Sequence, residues 1–155
     1  MKAITLWQPW ASLIALGLKR YETRCWATNY RGKLLIHAAK RPIDREGLTI
    51  WGDAHILGNR GIPDPCTKLP LGAIVAIADL VDCLEVIGDL SKPPIIAVNK
   101  HLQSNVELLC GDWQVGRFAW KLENIRQLAP IPAKGYQRFW IPDDEVIGNV
   151  NQQLK

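Results

Sequence analysis

The residues best suited to chemistry lie between Lys19 and Arg24, where three cationic side chains and one carboxylate occur within six positions. Successive strand residues point to opposite faces, so Glu22 and Arg24 are expected to share one face. Lys19 and Arg24 would hold a phosphate or a polar base edge, and Glu22 would accept from a base amino group or orient Lys19. A solvated strand of alternating charge is the alternative.

The elements around this cluster are predicted to place it on a helix-to-strand turn. A strand at Lys2–Leu6 precedes a helix that begins near Pro9 and runs to about Leu16. Gly17 suits a left-handed C-terminal cap, and alternation over Lys19–Trp26 predicts a strand. Side chains at such a turn can converge on a pocket.

The rest of the chain predicts an α+β fold, a mixed β-barrel of about five to six strands with two or more flanking helices. We expect residues 1–155 to form one domain, with a peripheral tail from about residue 143. Leu84–Leu109 shows no clean period, and Pro and Gly density predicts a loop over 58–70. Further strands are predicted at 33–39, 72–83, 118–123 and 135–141, and a second helix over 42–57.

Several motifs resemble the ASCH family, named for activating signal cointegrator 1 homology. They are a Gln-Pro-Trp at Gln8, the pattern G-x-K-x-x-E-x-R from Gly17 to Arg24, and Trp26 after it. The similarity continues through the segments 30–34, 71–72, 80–83 and 120–122. The resemblance implies a PUA-like β-barrel whose cleft, lined by the G-x-K-x-x-E-x-R segment, binds RNA and, in one branch, also DNA.

The same resemblance raises a second function. Some bacterial relatives are hydrolases, and one branch cleaves the acetyl amide of N4-acetylcytidine with a lysine, a threonine and a glutamate. Its lysine falls on Lys19, but its threonine falls on Glu22, which lacks the hydroxyl of a nucleophile or proton relay. If the chain is an enzyme, Lys19 and Glu22 would be its catalytic residues, in a metal-independent hydrolase of a nucleoside amide or RNA. Thr23 is expected on the opposite strand face.

Aromatic and basic residues outside the turn extend the candidate nucleic-acid site. Trp10 and Trp26 flank the charged turn, where they either line the cleft or pack in the core. Lys40 and Arg41 follow a buried strand, where they either contact phosphate or remain solvated. Trp120, Trp140 and His37 are predicted to be core residues, with the histidine bonded to a backbone carbonyl.

Charge and cysteine usage limit the remaining possibilities. A formal net charge of +4 favours an acidic partner only weakly. The expected partner is a nucleic acid, RNA in preference to DNA, or a nucleoside ligand. A protein partner is a further alternative. The four cysteines lack zinc-ligand spacing, so we expect free thiols, with Cys25 and Cys83 buried, and neither metal nor cofactor. The chain shows no signal-peptide core or membrane-spanning run, which predicts a cytoplasmic protein without membrane association.

Overall fold

The computed structural model describes residues 1–58, 68–87, 95–96 and 105–155. Most of the predicted 58–70 loop therefore lies outside the described residues. Seven strands and four helices are formed within the described ranges. In chain order they are β1 (Lys2–Leu6), α1 (Trp10–Ala15), β2 (Tyr21–Arg24), β3 (Gly32–Ala38), α2 (Arg45–Gly58), β4 (Ala73–Ile87), β5 (Ile95–Ile96), α3 (Asn105–Leu109), β6 (Phe118–Pro132), β7 (Phe139–Trp140) and α4 (Asp144–Leu154).

The strands form one curled sheet in the order β2-β6-β4-β3-β1-β7, with β5 paired to the far end of β4. The β1–β3 pair is parallel and the others are antiparallel. The predicted PUA-like α+β barrel is confirmed by this architecture. β4 and β6 are longer than predicted, because register shifts at bulges let each strand bend and continue around the barrel.

The two edges of the sheet, β2 and β7, approach each other along what we call the seam. Trp26, just after β2, packs edge-on against Phe139 of β7 with ring centroids 5.4 Å apart. Among the described strands, β7 pairs only with Ala3 and Ile4 of β1. The edge of β1 from Thr5 onward is therefore free of strand pairing on that side, which leaves an opening in the barrel wall.

The main core fills the barrel and includes Trp120, which is fully buried as predicted. Trp140 is only partly buried and belongs to a second cluster on the outer face of the sheet. Helix α4 covers that face: Asp143 caps its first turn by accepting from the Val146 N–H at 2.9 Å, and Val146 and Val150 are buried. The segment from residue 143 thus supplies two residues of this outer cluster.

Helix α1 ends as its sequence predicts. Gly17 has a φ of +72°, in the left-handed region that glycine adopts without steric cost. The Gly17 N–H donates to the Ile14 carbonyl and the Leu18 N–H to the Leu13 carbonyl, a Schellman arrangement. This cap reverses the chain and sends Lys19 toward the seam.

His37 is a core histidine, as predicted. It is 1% exposed, and its Nε2 lies 3.1 Å from the Ala133 carbonyl oxygen. A Cβ placed on Gly135 would clash with the His37 ring, so the glycine allows the backbone to pass over it. Burial lowers the pKa of His37 from its ordinary value of 6.5, because the protonated ring is poorly solvated there.

The lowered pKa predicts acid sensitivity. The unfolded chain takes up a proton near pH 6.5 and the folded chain only at lower pH, so stability from the neutral ring is present above pH 6.5 and is lost as pH falls below it. Urea unfolding at a series of pH values should show this decline. His37→Gln should remove that part of the decline; an unchanged pH profile in the variant would contradict the assignment.

Candidate nucleic-acid interface

A cleft with a volume of about 410 Å³ opens at the seam, where the edge of β1 is unpaired. Its size falls within the usual range of small-molecule sites. One wall comes from the end of β1, another from β2, and a third from the segment after α3. The lining residues are Thr5, Leu6, Trp7, Trp10, Lys19, Glu22, Thr23, Arg24, Glu46, Ile50, Leu109, Cys110, Gly111, Asp112 and Arg117.

Lys19 is located deep in this cleft and is 1% exposed. Its ammonium donates to the carbonyl oxygens of Tyr21 at 2.6 Å and Cys110 at 2.9 Å. The same nitrogen lies 3.5 Å from a carboxylate oxygen of Glu22. Since an ammonium has three donors, these contacts occupy Lys19 and tie the turn to the end of α3.

Glu107 makes the reciprocal connection from α3 to the turn. Its carboxylate accepts from the backbone N–H of Arg20 at 2.9 Å and of Tyr21 at 3.0 Å. Burial raises the pKa of this carboxyl, and the two N–H donors and the Lys19 charge act in the opposite direction. Glu107 lies in the stretch without clear periodicity, so no local pattern indicated this clamp.

Glu22 and Arg24 share one strand face, as predicted. The Arg24 Nε lies 3.0 Å from a Glu22 carboxylate oxygen, but the N–H is not aligned to donate to it. Its Nη2 makes a long hydrogen bond of 3.4 Å to the Thr5 carbonyl across the seam. The Arg24 guanidinium, about one quarter exposed, therefore retains donors for a ligand.

Arg117, which sequence reasoning missed, provides a second guanidinium in the cleft. It precedes β6 and lies 3.3 Å from an Asp112 carboxylate oxygen, again with an Nε that has no aligned partner among the described residues. Thr23, expected on the strand face opposite Glu22, also lines the cleft, and its hydroxyl accepts from the Asp112 N–H at 2.9 Å. Arg117 became a site residue because β6 runs beside β2, a pairing that the sequence pattern does not specify.

The tryptophans nearest the charged turn lie in two different places. Trp10 lines the cleft, and so does Trp7, whose side chain is 52% exposed. Trp26 does not line the cleft; it packs edge-on against Trp120 with ring centroids 4.5 Å apart. β2 ends at Arg24, so Trp26 lies in the segment after the strand, where it packs against the main core.

Lys40 and Arg41 are exposed and neither lines the cleft. Arg41 nevertheless stacks on the cleft tryptophan, with its guanidinium carbon 3.7 Å from the Trp7 ring centroid. It also pairs with Asp44 at 3.0 Å. Arg41 thus extends the cleft rim, whereas the Lys40 side chain lies close to Gly72.

The cysteines near the site differ from one another. Cys25 is exposed, so the prediction that it is buried was wrong: the chain leaves β2 at Arg24 and Cys25 points outward. Cys83 is partly buried. Cys110 is buried in the cleft wall, and burial raises the pKa of its thiol to about 11, which keeps it protonated at neutral pH.

The charges that line the cleft are balanced. Three cations, Lys19, Arg24 and Arg117, face three carboxylates, Glu22, Glu46 and Asp112. Within the described ranges, no three His, Cys, Asp or Glu side chains are grouped as metal ligands would be. The cleft therefore offers paired donors and acceptors beside an exposed indole.

Of the helices described, none has the length and hydropathy to cross a bilayer.

Solved structures with the same fold have been determined from Zymomonas mobilis. The crystal structure of ASCH from that organism matches with a TM-score of 0.53 and 14% identity, over 97% of this chain and 93% of that one. The crystal structure of a mutant protein of ZmASCH, from the same organism, matches with a TM-score of 0.53 and 15% identity, over 97% and 96%. At this identity the likeness establishes the fold.

Curated relatives extend the similarity to sequence. Activating signal cointegrator 1 of Homo sapiens is 38% identical over 144 residues, and that of Mus musculus is 28% identical over the same length. Each match covers 92% of this chain but 22% of the relative, so the chain spans about a fifth of their length. The ASCH domain model matches residues 4–129, which include the cleft, and the chain therefore belongs to the ASCH domain family.

Proposed function

We propose that the chain binds nucleic acid, RNA in preference to DNA, through the seam cleft. The observation that carries this proposal is the pair of guanidiniums, Arg24 and Arg117, which line the cleft together with the exposed Trp7 and are each about one quarter exposed. Arginine donors suit phosphate and base edges, and a tryptophan face suits a base. Carboxylates in the same cleft can accept from base amino groups.

A hydrolase centred on Lys19 and Glu22 is the alternative. Lys19 already donates to two backbone carbonyls and lies beside Glu22, which favours a structural role over proton transfer. Incubation with N4-acetylcytidine, followed by chromatography for released cytidine, tests this alternative directly. Turnover that Glu22→Gln abolishes would favour the hydrolase and displace the binding proposal.

Arg24→Ala and Arg117→Ala should each weaken binding of single-stranded RNA by roughly 1.5–3 kcal/mol, the range for hydrogen bonds to a charged group. Fluorescence anisotropy with a labelled oligonucleotide measures this. Arg126→Ala is the matched control: it lies on β6, is exposed, and is five residues beyond Lys121, the last β6 residue that pairs with β2. It should bind as the unmodified protein does.

Arg24→Lys separates charge from geometry in the same assay. It keeps the cation but loses the planar fork of donors, so affinity should fall while the salt dependence stays the same. If Arg126→Ala weakens binding as much as Arg24→Ala and Arg117→Ala do, the interaction reflects net charge and the cleft is not the site.

A further inference from the structure

A second feature of the seam, outside the cleft, is a cluster of partly buried aromatic rings that we call the seam patch. Trp26, Tyr30 and Phe139 form this cluster, with the Trp26–Phe139 and Tyr30–Phe139 centroids each 5.4 Å apart. All three rings are partly buried against the main core and partly open to solvent. They close the barrel where β2 and β7 do not hydrogen-bond.

Two cations lie on these rings. The Lys2 ammonium is 4.6 Å from the Tyr30 centroid and 5.0 Å from that of Phe139. The Arg138 guanidinium carbon is 6.0 Å from the Trp26 centroid. Within the part of the chain that the structure describes, neither cation forms an ion pair, in contrast to the balanced charges of the cleft.

The patch adjoins the cleft where β2 ends. Arg24 lines the cleft, and Trp26, two residues further along the chain, belongs to the patch. Two residues of extended chain span about 7 Å at the usual rise of ~3.3 Å per residue. A ligand that left the cleft along the seam would therefore pass directly onto the patch.

We infer that the seam patch binds the continuation of a single-stranded nucleic acid whose nucleotide occupies the cleft. Cations without an ion-pair partner attract the phosphate backbone, and partly exposed aromatic rings suit contact with bases of any sequence. The cleft supplies polar contacts without net charge, and the patch supplies the uncompensated positive charge. This inference rests on the proposed function and adds a path for the strand.

The test compares a trinucleotide with a twelve-nucleotide single-stranded RNA on Lys2→Gln/Arg138→Gln protein. Affinity for the longer RNA should fall about tenfold and its salt slope should flatten by about 1.4, the value for two lost phosphate contacts on a single strand. Affinity for the trinucleotide should not change. Arg126→Gln/Lys155→Gln removes the same charge from exposed positions and is the control.

Trp26→Phe adds a second measurement, tryptophan fluorescence quenching, which a change of charge alone would not alter. The phenyl ring keeps an aromatic contact with Trp120, while the indole fluorophore is lost. The extra tryptophan quenching that the longer RNA produces over the trinucleotide should disappear in this variant. If the double patch variant folds poorly, Arg138→Gln alone, at an exposed position, should flatten the slope by about half as much.

Three outcomes would overturn the inference. Unchanged affinity and slope for the longer RNA in the patch variants would show that the strand runs elsewhere, while the cleft proposal stands. Equal affinity for poly-glutamate would show that the patch attracts acidic chains of any kind. Failure of the unmodified protein to bind either RNA would overturn the proposed function and the inference together.

Discussion

Lys19→Met should destabilise the protein by about 3–5 kcal/mol, the usual cost of removing one partner from a buried charged network. Methionine keeps most of the side-chain volume but cannot donate to the carbonyls of Tyr21 and Cys110. It also leaves the buried carboxylates of Glu22 and Glu107 without the nearby positive charge of Lys19. Urea unfolding followed by far-ultraviolet circular dichroism measures the loss.

Lys33→Met is the matched control for this prediction. Lys33 also pairs with a carboxylate, 2.8 Å from Asp79, but its side chain is exposed. Screening by water limits such a pair to below about 1 kcal/mol. If Lys19→Met were as stable as Lys33→Met yet lost RNA binding, Lys19 would be a ligand contact and the clamp to α3 would contribute little.

The roles that the sequence motif predicts for Lys19 and Arg24 differ from the contacts that these residues make in the structure. The G-x-K-x-x-E-x-R pattern predicted a cleft with Lys19 and Arg24 as its cations, and both residues do line it. Of these two cations, Arg24 is about one quarter exposed, whereas Lys19 is buried and holds the residue after α3 through the Cys110 carbonyl. The spacing of residues along a strand predicts which face a side chain lies on. It does not predict whether a backbone segment distant in sequence will hydrogen-bond to that side chain, as the Cys110 carbonyl does to Lys19.

The parts of the site that could not be predicted come from long-range pairing. Alternation predicted β2 and the start of β6 separately, yet nothing local specified that they pair and bring Arg117 to the cleft. Glu107 belongs to the stretch without a clean period and Asp112 follows it, and both are held by contacts with the turn and β2. The early elements were predictable because their signals are local. Gly17, Pro9 and the apolar alternation each determine the backbone conformation of residues close to them in sequence.

The seam also explains why buried and exposed tryptophans should respond differently to substitution. Trp120 is fully buried, stacks on Phe139 with centroids 5.1 Å apart, and meets Trp26 edge-on. Trp120 lies opposite Glu22 in the β2–β6 pair, so it supports the strand that carries the cleft motif. Trp7 lines the cleft from the solvent side and contacts Arg41.

Trp120→Ala should therefore cost about 3–5 kcal/mol of stability, the range for removing a buried aromatic side chain. Trp7→Ala should change stability by less than about 0.5 kcal/mol, as at most exposed sites, but weaken RNA binding by about 1–3 kcal/mol if a base stacks on the indole. Urea unfolding and fluorescence anisotropy on both variants separate the two effects. Normal binding by Trp7→Ala would remove stacking on Trp7 from the proposed mode, and wild-type stability of Trp120→Ala would mean that the aromatic seam does not hold the barrel closed.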